Sequence, residues 1–311
     1  MRPLFGYHMP SFTFPGVAPD SLFEHVAGLA QRAEGAGFDL VTVMDHFYQI
    51  GGVGPEEAPM LEAYATLAGI AARTSRIRLG ALVTGVTYRN PALLAKIVTT
   101  LDVISGGRAI LGIGAAWNES EHRGYGFDFP RIGERMDRLD EALTICRLMF
   151  TEERPTFTGR FYRIDAALNQ PRPLQAGGPR ILVGGGGEQR TLRLVARHAD
   201  YAHWFPLGKE ELRHKAEVLD RYCEEIGRDP GTITRTVAAP VLLVADEREG
   251  ETRLSRIPPE RRGALVAATP ARAAEILGEY VDAGFGGFTF GNTMLSGESL
   301  DLAAEVIRSF N

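Results

Sequence analysis

RLGALVTGVTYRNPALLAKIVTTLDVISGGRAILGIGAA, residues 78–116, decides the architecture. Its two ends, 78–86 and 108–116, are nearly continuous apolar runs, the pattern of strands buried on both faces in a parallel sheet. Between them Pro91 stands where a helix start tolerates a missing N–H, and the helical pattern runs to about Ser105. The segment therefore reads as one strand–helix–strand unit with a crossover connection.

The same unit recurs outward in both directions. Strands are expected at 4–9 and 40–45, each followed by a helical pattern, at 21–37 and about 61–73. In the first helix Leu22, Val26, Leu29, Ala30 and Ala33 fall on one face, and Gly37 ends it as a C-cap. Beyond the quoted stretch come a helix at 134–150, a strand at 180–183, a helix at 188–198, a strand at 201–205 and a helix at 209–227. A strand at 237–245, a charged loop at 246–262, a helix at 270–283, a strand at 287–290 and a helix at 299–310 complete the chain. Between 151 and 179 the alternation lapses among Pro155, Gly159, Pro171, Pro173, Gly177, Gly178 and Pro179, with Phe157, Phe161 and Tyr162 suggesting a short hairpin. A stretch of that length without a core element is expected to act as a lid.

Eight strands alternating with eight principal helices favour a closed α/β (β/α)8 TIM barrel forming one domain over 1–311. Periodicity does not report closure, so an open doubly wound sheet is the alternative. The 311 residues are 44% hydrophobic and 23% charged with a net charge of -5, and no basic run stands out, which argues against nucleic acid as a partner. The two cysteines, Cys146 and Cys223, lie in helical patterns and read as reduced thiols of a cytoplasmic protein. No metal-ligand spacing is present, no apolar run is long enough for a membrane span, and the N-terminus lacks the pattern of a signal peptide.

In such a barrel chemistry sits at the C-terminal ends of the strands. Those ends carry Tyr7, His8, Asp45, His46, Val83, Thr84, Gly112, Gly114, Trp117, Asn118, the run Gly184–Gly187, His203, Trp204 and Asn292. Three of seven histidines and both tryptophans gather there, a concentration that points to a site. Asp45-His46 reads either as a tuned proton donor with its carboxylate or as a structural pair fixing the next loop. Gly112-Ile113-Gly114 resembles a dinucleotide fingerprint, but Trp117 replaces its third glycine; the glycines suit close backbone approach to a ring or tight packing. The four glycines 184–187 lead into a helical pattern and favour anion binding by free amides over a flexible linker. Trp117, Phe157, Phe161, Trp204 and Met294 suggest an apolar pocket, some of them alternatively packing under the 151–179 segment.

These residues together resemble the luciferase-like flavin oxidoreductases, and within them the branch that uses the deazaflavin coenzyme F420. The resemblance rests on Val43-Met44-Asp45-His46-Phe47, on 79–91, on 101–108, on Gly112–Glu119 and on Val183–Glu188 with Thr191 and Ala199-Asp200. It implies a (β/α)8 barrel with the ring at its mouth and His46 beside the ring as proton donor or electrostatic partner. It implies a cofactor-binding set of Asp45, His46, Leu82, Val83, Thr84, Gly112, Gly114, Asn118, Gly185, Gly186, Gly187 and Thr191, with a cis peptide at Leu82–Val83 and the phosphate on the glycine run and Thr191. The substrate pocket expected beside them comprises His8, Trp117, His203 and Trp204, and a homodimer is expected. Two departures matter: Ala115 stands where luciferases proper have an arginine near the flavin phosphate and the family's sugar-phosphate dehydrogenases a glutamate, and Ile50 stands where the latter have a tryptophan. The missing arginine tilts the cofactor away from FMN, toward F420; the missing glutamate and tryptophan remove the acid–base set for a sugar. The expectation is an F420-dependent oxidoreductase, against an FMN-dependent monooxygenase or a non-catalytic flavin-binding protein.

Overall fold

Strand β1 (Leu4–Met9) shows how the barrel is built. Side chains alternate between its faces, so Phe5, Tyr7 and Met9 pack outward beneath helices while Leu4, Gly6 and His8 face the interior. The computed structural model describes residues 2–255, 257, 262–291 and 299–311; Asn292 and Met294 lie outside these. In chain order β1 is followed by α1 (Leu22–Ala36), β2 (Leu40–Val43), α2 (Ala63–Ala71), β3 (Arg78–Ala81), β4 (Thr84–Gly85), α3 (Pro91–Ser105), β5 (Ala109–Gly114), α4 (Glu119–Tyr125) and α5 (Ile132–Thr151). Next come β6 (Phe157–Thr158), β7 (Arg163–Ile164), β8 (Arg180–Gly184), α6 (Thr191–His198), β9 (Tyr201–Trp204), α7 (Lys209–Glu225) and β10 (Thr234–Ala238). The last are β11 (Val241–Leu243), α8 (Glu247–Ser255), β12 (Val266–Ala268), α9 (Pro270–Asp282), β13 (Gly287–Gly291) and α10 (Ser299–Arg308).

The strand order β3-β2-β1-β13-β10-β9-β8-β5 closes through a β3–β5 pairing, and every ladder in it is parallel. The expected closed barrel is therefore the fold. Two apolar layers result: a small interior cluster of Ile110, Leu182 and Tyr201, and a large one between the strands and the surrounding helices. Closure at the β3/β5 seam depends on glycine. A Cβ on Gly112 would lie 1.9 Å from the Ala81 carbonyl oxygen, so the backbones approach more closely than any side chain permits.

Four elements differ from the sequence reading. The third strand is interrupted at the cis peptide Leu82–Val83 and resumes as β4. The expected strand 237–245 is two: β10 stays in the barrel, and after Pro240, which has no N–H for a ladder, β11 turns away to pair with β12. The helix expected from 188 begins at Thr191, leaving a turn between the glycine run and α6. The charged loop 246–262 contains α8.

The 151–179 segment, expected as a lid, contributes no residue to the cavity at the strand C-termini. It connects the end of α5 to the start of β8, which places it at the opposite end of the barrel, where an αβ connection must lie. There it is strapped down. Asp102 of α3 accepts from the Leu174 amide and Gln175 Nε2, both at 2.7 Å, and Asn169 Nδ2 donates to Thr99 and to the Met149 carbonyl. Glu141 of α5 holds the β6–β7 turn through the amides of Arg160, Phe161 and Tyr162. Among the described residues no helix is long and apolar enough to cross a membrane.

Gly112→Ala is expected to destabilise the fold by about 2 kcal/mol or more, since a methyl there has only backbone to displace. Chemical denaturation measures this, and a loss within about 0.5 kcal/mol, the usual scatter of neutral surface changes, contradicts the packing argument.

Candidate active site

A cavity of about 420 Å³ opens at the C-terminal ends of the barrel strands. Strand alternation determines what reaches it. On β9 Tyr201 and His203 face inward and Ala202 and Trp204 outward, so His203 lines the cavity while Trp204 is 1% exposed in the helical layer against Phe285. Trp204 is thus a packing residue, not the pocket wall expected. Gly112 serves the seam described above and does not line the cavity, and Asn118 is also absent from its walls. Asn118 instead supplies its carbonyl to His122 Nδ1 at 2.6 Å and its side-chain oxygen to Ser120. Of the other expected residues, His8, Asp45, His46, Leu82, Val83, Thr84, Gly114, Trp117, Gly185, Gly186, Gly187 and Thr191 all line it.

His46 stands in the loop after β2, and its partner is not the neighbouring Asp45. Its Nδ1 lies 2.8 Å from Oε2 of Glu121, a fully buried carboxylate on the short helix α4. The same carboxylate accepts from the Tyr88 hydroxyl at 2.8 Å and from the amides of Phe47 and Tyr48 at 2.6 and 2.9 Å. Burial alone raises the Glu121 carboxyl, but these donors, His46 foremost, outweigh it and hold it below its ordinary range. An ionised carboxylate only accepts, so His46 Nδ1 carries hydrogen and Nε2 is left to exchange a proton in the cavity. Tyr88 is pushed up by burial and by Glu121 and stays a neutral donor.

Asp45 belongs to a separate buried pair. Arg89 grips it with both guanidinium nitrogens, at 2.6 and 3.0 Å, and reaches Glu62 as well, while its plane lies over Tyr64. Tyr64 in turn meets Thr84 at 2.6 Å, tying the strand interruption to the same network. The sequence reading missed Glu121, Tyr88 and Arg89. Nothing in Asn118-Glu119-Ser120-Glu121 distinguishes one glutamate from the other until α4 is known to turn Glu121 inward.

Two further imidazoles form the floor. His8 and His203 contact the hydroxyls of Thr42 and Thr236, their cross-strand neighbours, each at 2.9 Å. Burial pushes His8 down to about 4 and His203 to about 3, with His46 adding to the first shift and His8 to the second. Both are neutral near pH 7. Thr236 donates its hydroxyl hydrogen to the Ala202 carbonyl, so it accepts from His203 Nδ1, and His203 Nε2 is an acceptor.

The rim has a different character. Trp117, Ile132 and Phe205 line the mouth and are 60%, 57% and 75% exposed. The glycine run lines the same mouth, with the amides of Gly186 and Gly187 given to no protein acceptor among the described residues and Thr191 beside Gly187. Among the described residues no cluster of groups could hold a metal.

The site is thus a closed parallel barrel with an imidazole–carboxylate pair and a run of glycines at its mouth. The sequence profile of the luciferase-like monooxygenases matches residues 4–274, and the chain belongs to that family. It is similar to the F420-dependent glucose-6-phosphate dehydrogenase of Intrasporangium calvum, 34% identical over 301 residues covering 86% of this chain and 87% of the relative. It is 30% identical to the enzyme of the same name from Kineococcus radiotolerans, with 84% of each chain covered. Among solved structures it resembles an F420-dependent secondary alcohol dehydrogenase in complex with an F420-acetone adduct, at a TM-score of 0.80 and 20% identity over the whole of both chains. The EDTA monooxygenase of Chelativorans sp. BNC1 superposes at 0.85 with 16% identity, covering 100% of this chain and 93% of that one. At these identities the structural likenesses speak for the fold alone.

Because His8 and His203 are neutral in the fold and titrate normally when unfolded, lowering the pH lets the unfolded chain take up protons first. Stability is therefore expected to fall as the pH drops from about 6.5 toward about 4. A His8→Asn, His203→Asn double variant should flatten that slope in denaturation curves taken across the range; an unchanged slope contradicts the assignment.

Proposed function

We propose that the chain is a coenzyme F420-dependent oxidoreductase acting on a neutral organic substrate with an apolar or aromatic body, an alcohol or the corresponding carbonyl compound. The observation that carries this is the pairing of His46 with the buried, fully hydrogen-bonded Glu121 in a cavity whose described lining contains no lysine or arginine. The residues present fit the cofactor. Leu82, Val83, Met44 and Gly114 offer an apolar wall for a planar ring; Gly186 and Gly187 offer amides and Thr191 a hydroxyl for a phosphate, while the Gly185 amide is held by the His203 carbonyl. When bound, the deazaflavin would supply two-electron hydride transfer and, with carbon in place of the flavin's N5, not oxygen activation.

The chain's own residues supply the proton. Glu121 fixes the His46 ring and stabilises its positive charge, so Nε2 can take the hydroxyl proton of an alcohol or return it to a carbonyl oxygen. Tyr88 and the amides of Phe47 and Tyr48 keep Glu121 ionised through that cycle. The substrate class follows from the walls. A sugar phosphate asks for a cation beside its phosphate, and Ile50, Trp117, Ile132, Met136 and Phe205 offer apolar surface instead. A protein that only bound a flavin would have no use for a buried carboxylate aimed at an imidazole.

In direct titration F420 should bind at least about tenfold more tightly than FMN, a difference of about 1.4 kcal/mol; tighter FMN binding favours a monooxygenase on the same fold. His46→Ala should lower turnover of an apolar secondary alcohol by roughly 10²–10⁴ while leaving F420 affinity nearly unchanged. Glu121→Gln should lower turnover in the same direction, because a neutral amide cannot stabilise the imidazolium. A folded His46→Ala protein with full turnover removes His46 from the chemistry.

A further inference from the structure

Lys215 lies on α7, outside the cavity wall, yet it is the one ammonium in contact with the glycine run. Its side chain is 12% exposed. Its Nζ donates to the Gly186 carbonyl at 3.1 Å and lies 3.3 Å from Glu188 Oε1 and 3.8 Å from Glu211 Oε1. Its Cδ and Cε stand 3.2 and 3.3 Å from where a Gly186 Cβ would be, so the stem lies flat against the bare backbone.

A trans peptide points its carbonyl and the following N–H in opposite directions. The only cis bonds among the described residues are Leu82–Val83 and Gln170–Pro171, so the Gly186–Gly187 peptide is trans. Lys215 holds its carbonyl from the side away from the cavity, which turns the Gly187 N–H toward the cavity that Gly186, Gly187 and Thr191 line. Glycine would otherwise leave that peptide free to rotate. The same ammonium occupies Glu188, the carboxylate next in sequence, which it holds below its ordinary range and which His214 also approaches at 3.4 Å. An unpaired Glu188 would repel any anion bound at the run.

We propose that Lys215 is a positioning residue for the cofactor phosphate: it fixes the Gly186–Gly187 peptide with its amide toward the cavity and neutralises Glu188, without itself lining the site. The proposal rests on the reading that the glycine run takes the phosphate of F420. Charge and geometry act in one direction here, since loss of the ammonium both frees the peptide and uncovers the carboxylate.

The test is a fluorescence titration of the full-length chain with F420 and with the deazaflavin–ribitol analogue that lacks the phosphate. The wild type should bind F420 more tightly than the analogue. Lys215→Met, which keeps the apolar stem, should weaken F420 binding about tenfold or more and leave the analogue's affinity unchanged; Lys215→Arg should recover most of the loss. Wild-type F420 affinity in Lys215→Met overturns the role of Lys215 while leaving the phosphate site standing. Equal loss of both ligands makes Lys215 a general structural residue and also overturns the proposal. Equal binding of F420 and the analogue by the wild type removes the phosphate from the glycine run, and the role of Lys215 with it.

Discussion

The Glu121 carboxylate accepts hydrogen bonds from four groups contributed by two parts of the chain, the loop after β2 and the segment leading into α3, and so ties both to α4. A buried anion is tolerated only where donors replace its lost hydration, and here each donor is also a fixed point of the site. The amides of Phe47 and Tyr48 set the path of the loop that carries His46, and the Tyr88 hydroxyl anchors the approach to Arg89 and so to Asp45. Removing the carboxylate therefore does more than change one proton affinity; it unties the segments whose relative placement makes a cavity.

The architecture was legible because a parallel barrel imposes a simple rule on sequence: strands buried on both faces must be apolar throughout, and helices must intervene. The stretch 78–116 obeys that rule apart from Arg78, Thr84 and Arg108. What the rule cannot supply is direction. His203 and Trp204 are neighbours at the same strand end, and both read as site residues, yet a strand sends them to opposite faces and only one reaches the cavity. The 151–179 segment failed differently. Its length suggested function, but its position between the end of a helix and the start of a strand assigns it to the far end of the barrel, where it braces α3 and α5. Glu121 was illegible for a third reason: its importance arises from contacts to Phe47, Tyr48 and Tyr88, all more than 30 positions away.

Similarity to the sugar-phosphate dehydrogenases and the different substrate class proposed above are compatible because the two properties reside in different places. The glycine run and the strand interruption at Leu82–Val83 are backbone features, and the Asp45–Arg89 ion pair is buried. Of the rim side chains Trp117, Ile132 and Phe205 are exposed and Ile50 is half-buried, and they can be exchanged without disturbing the core.

The chain has two tryptophans, and the barrel gives them opposite surroundings. Trp117 stands at the mouth with most of its surface in water, whereas Trp204 is sealed behind the glycine run, its indole nitrogen with no hydrogen-bond acceptor among the described residues. An indole in water emits to the red and one in an apolar layer to the blue, so the protein carries two separable optical channels. The red channel reports on whatever enters the mouth. The blue one holds its position until the sheet and its helices part, so occupation of the site and loss of the fold can be followed in one cuvette without a label.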